Sequence, residues 1–139
     1  MILIVQSLWN EAITSKLVEG AVSILRQKKI PHKVVEVPGA LEIAFAIADQ
    51  RKKLKTKLKG AIACGTVVKG DTYHFEVVAN ESARALSALS LDFHLPIGNA
   101  ILTTFNVDQA LERAGGKFGN KGEEAAHAVL QMLDLMKRK

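Results

Sequence analysis

The sequence predicts an α/β protein, a three-layer α/β/α sandwich around a four-stranded parallel sheet. Three observations carry that prediction. Short apolar runs alternate with segments of helical periodicity along the chain. The connections are short, and parallel neighbours need right-handed crossovers, which place helices on both faces of the sheet. The chain has 139 residues, 48% hydrophobic and 24% charged, a size and composition that fit one compact domain over 1–139 and argue against disorder.

The elements follow in order. Ile2 to Gln6 reads as a strand. Ile13, Leu17, Ala21, Ile24 and Leu25 then lie on one face of a helix over about 11–29, which Pro31 ends. Lys33 to Val37 is β-branched and strand-like, and Pro38-Gly39 punctuates it. Leu41, Ala44, Phe45, Ile47 and Ala48 mark a second helix running to about residue 53. Gly60 to Val68 is a continuous apolar run, the mark of a strand buried on both faces. After Gly70, the stripe Val77, Val78, Ala85, Leu86 and Leu89 predicts a third helix, and Pro96 to Thr104 a fourth strand. Asn106 followed three residues on by Gln109 has the form of a capping box opening a short helix to about Ala114. A glycine-rich loop, 115–122, precedes a last helix carrying Ala125, Ala126, Val129, Leu130 and Leu133. No repeat or low-complexity segment interrupts this order.

Charge excludes more than it suggests. The net charge is +5, but residues 51–59 hold six of the 19 basic residues with no acid, and 137–139 hold three more. The remaining 10 basic and 14 acidic residues leave the body of the chain mildly acidic. Aromatics are 5% and none lies in either run, so the basic surface lacks the stacking partners of a nucleic-acid module, and a solvated charge run is expected instead. The single cysteine, Cys64, excludes an internal disulfide and four-cysteine zinc sites. No apolar run approaches the roughly 18 residues of a membrane helix. Met1 leads straight into Ile2–Val5 with no basic leader, so a cytoplasmic protein is expected.

In such sheets ligands sit at the carboxyl ends of the strands, which singles out 7–10, 38–42, 66–74 and 99–106. Trp9, the only tryptophan, follows strand one, where a flat ring suits stacking on a heteroaromatic ligand or folds onto the core. Glu42 opens an otherwise apolar helix; its carboxylate can bind sugar hydroxyls or serve as a helix-start charge. Gly70, Asp71 and Thr72 stand where a strand hands over to a helix, a place for an oxyanion or for an ordinary N-cap. His74, two residues inside that helix, is a candidate general acid/base or a rim histidine. His32, His94 and His127 are not grouped at zinc spacing. Arg113 and Lys121 flank the glycine-rich loop and can hold phosphate or act as surface charges. Cys64 reads as inert packing.

These segments together resemble the 6,7-dimethyl-8-ribityllumazine synthases. Val37-Pro-Gly-Ala-Leu-Glu-Ile43, Gly65-Thr-Val-Val-Lys-Gly-Asp-Thr-Tyr-His74, Val78-Ala-Asn-Glu81, Leu102-Thr-Thr104 and Glu112-Arg-Ala-Gly-Gly-Lys-Phe-Gly-Asn-Lys-Gly122 occur in that family's order and spacing over nearly the whole chain. The resemblance implies a flavodoxin-like fold and the penultimate step of riboflavin synthesis. There, 5-amino-6-(D-ribitylamino)uracil condenses with 3,4-dihydroxy-2-butanone 4-phosphate, without metal or redox cofactor. It implies that Trp9 stacks on the pyrimidine with Asn10 beside it, and that Ala40, Leu41 and Glu42 hold the ribityl chain. Val67 and Val68 face the pyrimidine edge, Gly70, Asp71 and Thr72 form the phosphate loop, and His74 transfers protons. Arg113, for phosphate, and Lys121, near the ribityl and ring groups, reach in from the adjacent subunit.

Asn99 stands where many relatives carry a bulky apolar residue against the ring from the neighbouring subunit, and Lys69 where arginine is frequent. The chain begins at the first strand, without the N-terminal arm that many relatives add to a neighbour. Homo-oligomers with shared sites are implied, a pentamer at least. The short 115–122 loop resembles members that form sixty-subunit shells, and the missing arm points the other way. A related archaeal-type riboflavin synthase and a non-catalytic shell or flavin-binding scaffold are the competing functions. Thr103-Thr104 and Gly119–Gly122 favour the synthase over the first, and the set Trp9, Glu42, His74, Arg113 and Lys121 speaks against the second.

Overall fold

The computed structural model describes residues 1–139. The chain runs β1 (Ile2–Ser7), α1 (Glu11–Gln27), β2 (His32–Val37), α2 (Ile43–Leu54), β3 (Gly60–Val68), α3 (His74–Asp92), β4 (Ile97–Thr104), α4 (Val107–Glu112), β5 (Ala114–Gly116), β6 (Gly119–Asn120) and α5 (Lys121–Lys137). β1 to β4 form one sheet in the order β2-β1-β3-β4, every pair parallel. The expected three-layer sandwich is the observed one, flavodoxin-like in architecture.

Each face of the sheet buries its own cluster, because alternate residues of a strand point to opposite sides. Ile2, Ile4, Ile62, Cys64, Ala100 and Leu102 face α1, α4 and α5. Leu3, Val5, Ala61, Ala63, Val67 and Ile101 face α2, α3 and the one-turn 3-10 helix at Ala40–Glu42. Burying a side chain such as Leu3 or Ile62, both fully enclosed, contributes about 2 kcal/mol each. On this reading the two apolar faces of β3 are what hold the two helical layers to one sheet.

Several sequence expectations need correction. α1 ends at Gln27, before Pro31, because Lys29 turns left-handed (φ 56°). Its N–H donates to the Arg26 carbonyl and that of Ile30 to the Leu25 carbonyl, a Schellman closure built without glycine. His94 (φ 50°) closes α3 in the same way, with Leu95 donating to the Ser90 carbonyl. The buried stripe of α3 is Val78, Ser82 and Leu86, while Val77 is exposed. His74 is the first residue of α3, not two residues inside it. The glycine-rich loop is a small antiparallel hairpin of β5 and β6, with Gly115 and Gly119 at positive φ. Asn106 does cap α4, its Oδ1 accepting from the Gln109 N–H at 2.8 Å. The reciprocal bond goes to the Phe105 N–H, one residue earlier than a capping box requires.

α1 and α5 approach closely where Asn120 and Gly122 meet α1. Asn120 caps α5 through Oδ1, which accepts from Gly122 and Glu123, while its Nδ2 donates to the Lys16 carbonyl of α1. A Cβ on Gly122 would lie 1.9 Å from the Leu17 carbonyl oxygen. This close approach seats the hairpin and the start of α5 beside the sheet end.

The basic run 51–59 falls at the end of α2 and the entry to β3, where the strands start. It therefore lies at the opposite end of the sheet from the strand termini that gather the candidate site. Two substitutions test the local geometry through urea unfolding midpoints. Gly122→Ala is expected to lower stability by about 3 kcal/mol. His94→Gly, which removes a side chain from a left-handed position, is expected to raise it by about 1 kcal/mol.

Candidate active site

The carboxyl ends of β1, β2 and β3 bring most of the candidate residues to one rim. The loops after β1 and β2 are laced together: the N–H groups of Leu8 and Trp9 both donate to the Pro38 carbonyl at 3.1 Å. The Trp9 ring stands directly on Gly39, where a Cβ would fall 2.5 Å from Cε3 and Cζ3. The ring is 63% exposed, so it is fixed at its base and open above. Asn10, left-handed at φ 62°, starts α1 without using its side chain as a cap, which leaves its amide free at the rim.

Ala40, Leu41 and Glu42 form the 3-10 turn that follows Gly39. Ala40 is buried and Leu41 is 45% exposed. Glu42 keeps Oε2 buried with no hydrogen-bond partner, a cost of about 1–3 kcal/mol unless a ligand or neighbour satisfies it. β3 extends past its β1 neighbour: the pairing with β1 ends at Gln6–Cys64, while that with β4 continues to Val68–Thr104. The β1-facing edge of Val67 and Val68 therefore carries main-chain polar groups without a strand partner, suited to the edge of a planar heterocycle.

Gly70, Asp71 and Thr72 form the exposed turn between β3 and α3. A Cβ on Gly70 would meet nothing within 4 Å, so packing does not demand the glycine there and a ligand can approach the backbone. Thr72 Oγ1 accepts from the His74 N–H at 3.4 Å, but the N-cap position is Tyr73 and no side chain caps α3; Asp71 makes no side-chain bond. His74 is exposed at the first turn of α3, in reach of whatever occupies that N-terminus.

Arg113 and Lys121 belong to a second group. They line a cavity of about 570 Å³ with Thr104, Phe105, Gln109 and Phe118. Arg113 Nη1 donates to the Gln109 carbonyl at 3.0 Å, the guanidinium lies 4.7 Å from the Phe118 ring centroid, and Glu112 pairs with it at 3.6 Å. The Lys121 N–H donates to the Arg113 carbonyl, which joins the two cations through the hairpin. The lining of this cavity includes none of Trp9, Glu42 and His74. Asn99 is apart from both, in a groove between β4 and α3 beside Leu86, Ser90 and Leu91, its Oδ1 accepting from the Ile101 N–H.

Other candidates fall away. Burial pushes the Cys64 thiol up to about 12, so it stays protonated and inert near neutral pH. His32 bonds the Ile30 carbonyl at the start of β2, His94 closes α3, and His127 is exposed on α5. No three His, Cys, Asp or Glu side chains converge as a metal site. Ser7 and Thr66, which fell within the strand-end segments but were given no role from the sequence, are buried hydroxyls without partners. A hydroxyl in an otherwise apolar strand is the signal that marks them. Lys69, 5.6 Å from the Phe105 ring centroid, and Phe105, packed on Phe75 at 6.3 Å, complete the rim between β3 and β4.

The fold and rim define an α/β ligand-binding protein with an open aromatic platform, an unpaired buried carboxylate and a helix N-terminus at one sheet end. The chain belongs to the 6,7-dimethyl-8-ribityllumazine synthase family, whose model matches residues 1–137. A 6,7-dimethyl-8-ribityllumazine synthase from Bartonella henselae is 47% identical over 137 residues, covering 99% of this chain and 88% of the relative. One from Methylocella silvestris is 45% identical over 139 residues, covering 98% and 85%. One from Bartonella tribocorum is 47% identical, covering 99% and 90%. Among solved structures, a GDP-L-fucose synthetase from Naegleria fowleri overlaps 97% of this chain and 45% of its own at 16% identity and a TM-score of 0.43.

Because Trp9 is the sole tryptophan, its emission reports on this rim alone. Titration with a flavin or lumazine is expected to quench it saturably. Quenching that grows linearly, without saturation, would show that the ring is not a binding platform.

Proposed function

We infer that the chain is a 6,7-dimethyl-8-ribityllumazine synthase, a transferase of riboflavin biosynthesis. It condenses 5-amino-6-(D-ribitylamino)uracil with 3,4-dihydroxy-2-butanone 4-phosphate in the cytoplasm. The observation that carries this reading is the gathering of Trp9, Glu42, the free edge of β3 and His74 at one sheet end, in a chain matched by the family over nearly its whole length.

Each group has a part in the chemistry. Trp9 stacks on the pyrimidinedione, the edge of Val67 and Val68 meets its polar rim, and Glu42 with Asn10 takes the ribityl hydroxyls. The turn Gly70–Thr72 and the start of α3 hold the phosphate, where free N–H groups and the helix dipole favour an anion. The 5-amino group attacks the ketone carbonyl and water leaves to form an imine. Phosphate is eliminated, the resulting enol becomes a ketone, and the ribitylamino nitrogen attacks it, a second water leaving as the ring closes. His74 moves protons at the phosphate end, and Arg113 stabilises the departing anion. The amine is nucleophilic already, so holding two substrates together supplies much of the acceleration.

The site is shared between neighbouring copies of the chain. Two features support this: Arg113 and Lys121 line a cavity separate from the Trp9 rim, and Phe45, Tyr73, Leu91 and Phe105 are each more than two-thirds exposed, the mark of surfaces that meet a partner. In the assembly, the Arg113 group and Asn99 of one subunit face the Trp9 group of the next. Five copies of a 15.1 kDa chain weigh about 75 kDa and sixty about 900 kDa, so one sizing measurement separates pentamer from shell, and elution near 15 kDa contradicts sharing.

Mixing both substrates with the assembled protein is expected to produce lumazine absorbance and fluorescence above the uncatalysed rate. No acceleration would leave only the scaffold reading. His74→Ala is expected to lower kcat by up to about a hundredfold without abolishing turnover. Arg113→Ala is expected to raise KM for the phosphorylated substrate roughly thirtyfold, the loss of about 2 kcal/mol from a charge-assisted contact. Equal loss of both parameters in both variants contradicts this division of roles.

A further inference from the structure

We propose that Ser7 is a positioning residue for Glu42: its buried hydroxyl donates to the inward carboxylate oxygen, fixing the other oxygen toward the hydroxylated substrate. The proposal rests on the reading above, in which Glu42 takes the hydroxyls of the substrate side chain.

Four observations carry it. Ser7 is 1% exposed, and its Oγ is a buried polar atom with no partner. Glu42 Oε2 is another. Both lie on the same face and at the same end of the sheet. Ser7 shares the α2-facing side of β1 with Leu3 and Val5, and Glu42 closes the 3-10 turn that packs on that side. The segments that carry them also meet at Gly65. A Cβ at Gly65 would lie 3.1 Å from Ser7 Oγ and 3.3 Å from Cδ1 of Ile43, the residue that follows Glu42.

Elimination supports the pairing. The buried polar side chains besides Ser7 are Gln6, Thr14, Thr66, Ser82 and Thr104, and Thr104 donates to the Asn106 carbonyl. Buried Ser82 already donates to the Ala79 carbonyl. Thr66, the third unpartnered hydroxyl, stands between Gly65 and Val67 and so points to the opposite face, where Gln6 and Thr14 bond each other. The Ser7 backbone is pinned, its carbonyl accepting from Thr14 Oγ1 at 2.7 Å, so only the side chain has freedom. A donor and an acceptor, each costly to leave unmade in a dry interior, thus stand unpartnered on the same face and at the same end of the sheet. On the proposal, the one-turn helix carrying Glu42 settles onto the sheet and joins them when the site fills. The Ser7 hydroxyl has no other partner in the structure.

Steady-state kinetics of the full assembled enzyme tests this, varying each substrate in turn. Ser7→Ala is expected to raise KM for the ribitylamino substrate about tenfold, with kcat and the KM of the phosphorylated ketone unchanged within about twofold. With an amine whose side chain lacks hydroxyls, Ser7→Ala is expected to behave as wild type, a difference that a merely structural role would not produce. Ser7→Thr, which keeps the hydroxyl, is expected to hold the wild-type KM. It also serves as the test variant if the alanine form fails to fold, since a KM raised as in Glu42→Gln would then overturn the proposal. An unchanged KM in Ser7→Ala, or an equal loss with both amines, also overturns it. A wild-type protein that does not accelerate the condensation overturns the underlying reading and the proposal together, so the two failures are distinguishable.

Discussion

The structure depends on one constraint: β3 is a nine-residue strand buried on both faces. Its backbone must be satisfied by strands on either side, and its side chains by helices above and below. β1 and β4 meet the first need, and the α1/α5 and α2/α3 layers meet the second. The polar business of the chain is thereby displaced to the strand ends. Because β3 outruns β1 by four residues, the end it shares with β2 and α3 has an unfinished edge, and that is where Trp9, Glu42 and His74 gather.

The same constraint separates the cationic part of the site from the aromatic part. β4 is an edge strand, and α4 with the small hairpin hangs from its carboxyl end. Asn120 and Gly122 lock that unit against α1. Arg113 and Lys121 are held there by hairpin hydrogen bonds and the Phe118 ring, around a cavity that does not include Trp9 or His74. Two half-sites on different edges of one sheet make chemical sense when copies meet edge to rim, each completing the other.

How much was legible in the sequence follows from how local each signal is. The apolar run at 60–68 and the stripe Ile13, Leu17, Ala21, Ile24 in α1 speak for themselves, and the sheet and layers followed from them. Asn106 declared its cap through a side chain three residues from its partner. Lys29 and His94 gave no such warning, since left-handed closures usually advertise themselves with glycine. The β5–β6 hairpin was hidden because strands of three and two residues have no alternation to read. The rim residues could be named because topology fixes where ligands sit. Their division into two groups came only through the family resemblance, because it depends on where the hairpin folds back. Ser7 and Thr66 fell within the strand-end segments, but a hydroxyl within a strand reveals its missing partner only when its surroundings are built.

The sharing of the site between copies is the central claim, and subunit mixing tests it most directly. A variant carrying Trp9→Ala and Glu42→Ala lacks one half-site, and a variant carrying Arg113→Ala and Lys121→Ala lacks the other. Dissociated, mixed in equal amounts and reassembled, the two inactive proteins are predicted to regain about a quarter of wild-type activity, since a random ring makes one intact site in four. A mixture no more active than its parents would place both halves of the site within a single chain and contradict the account.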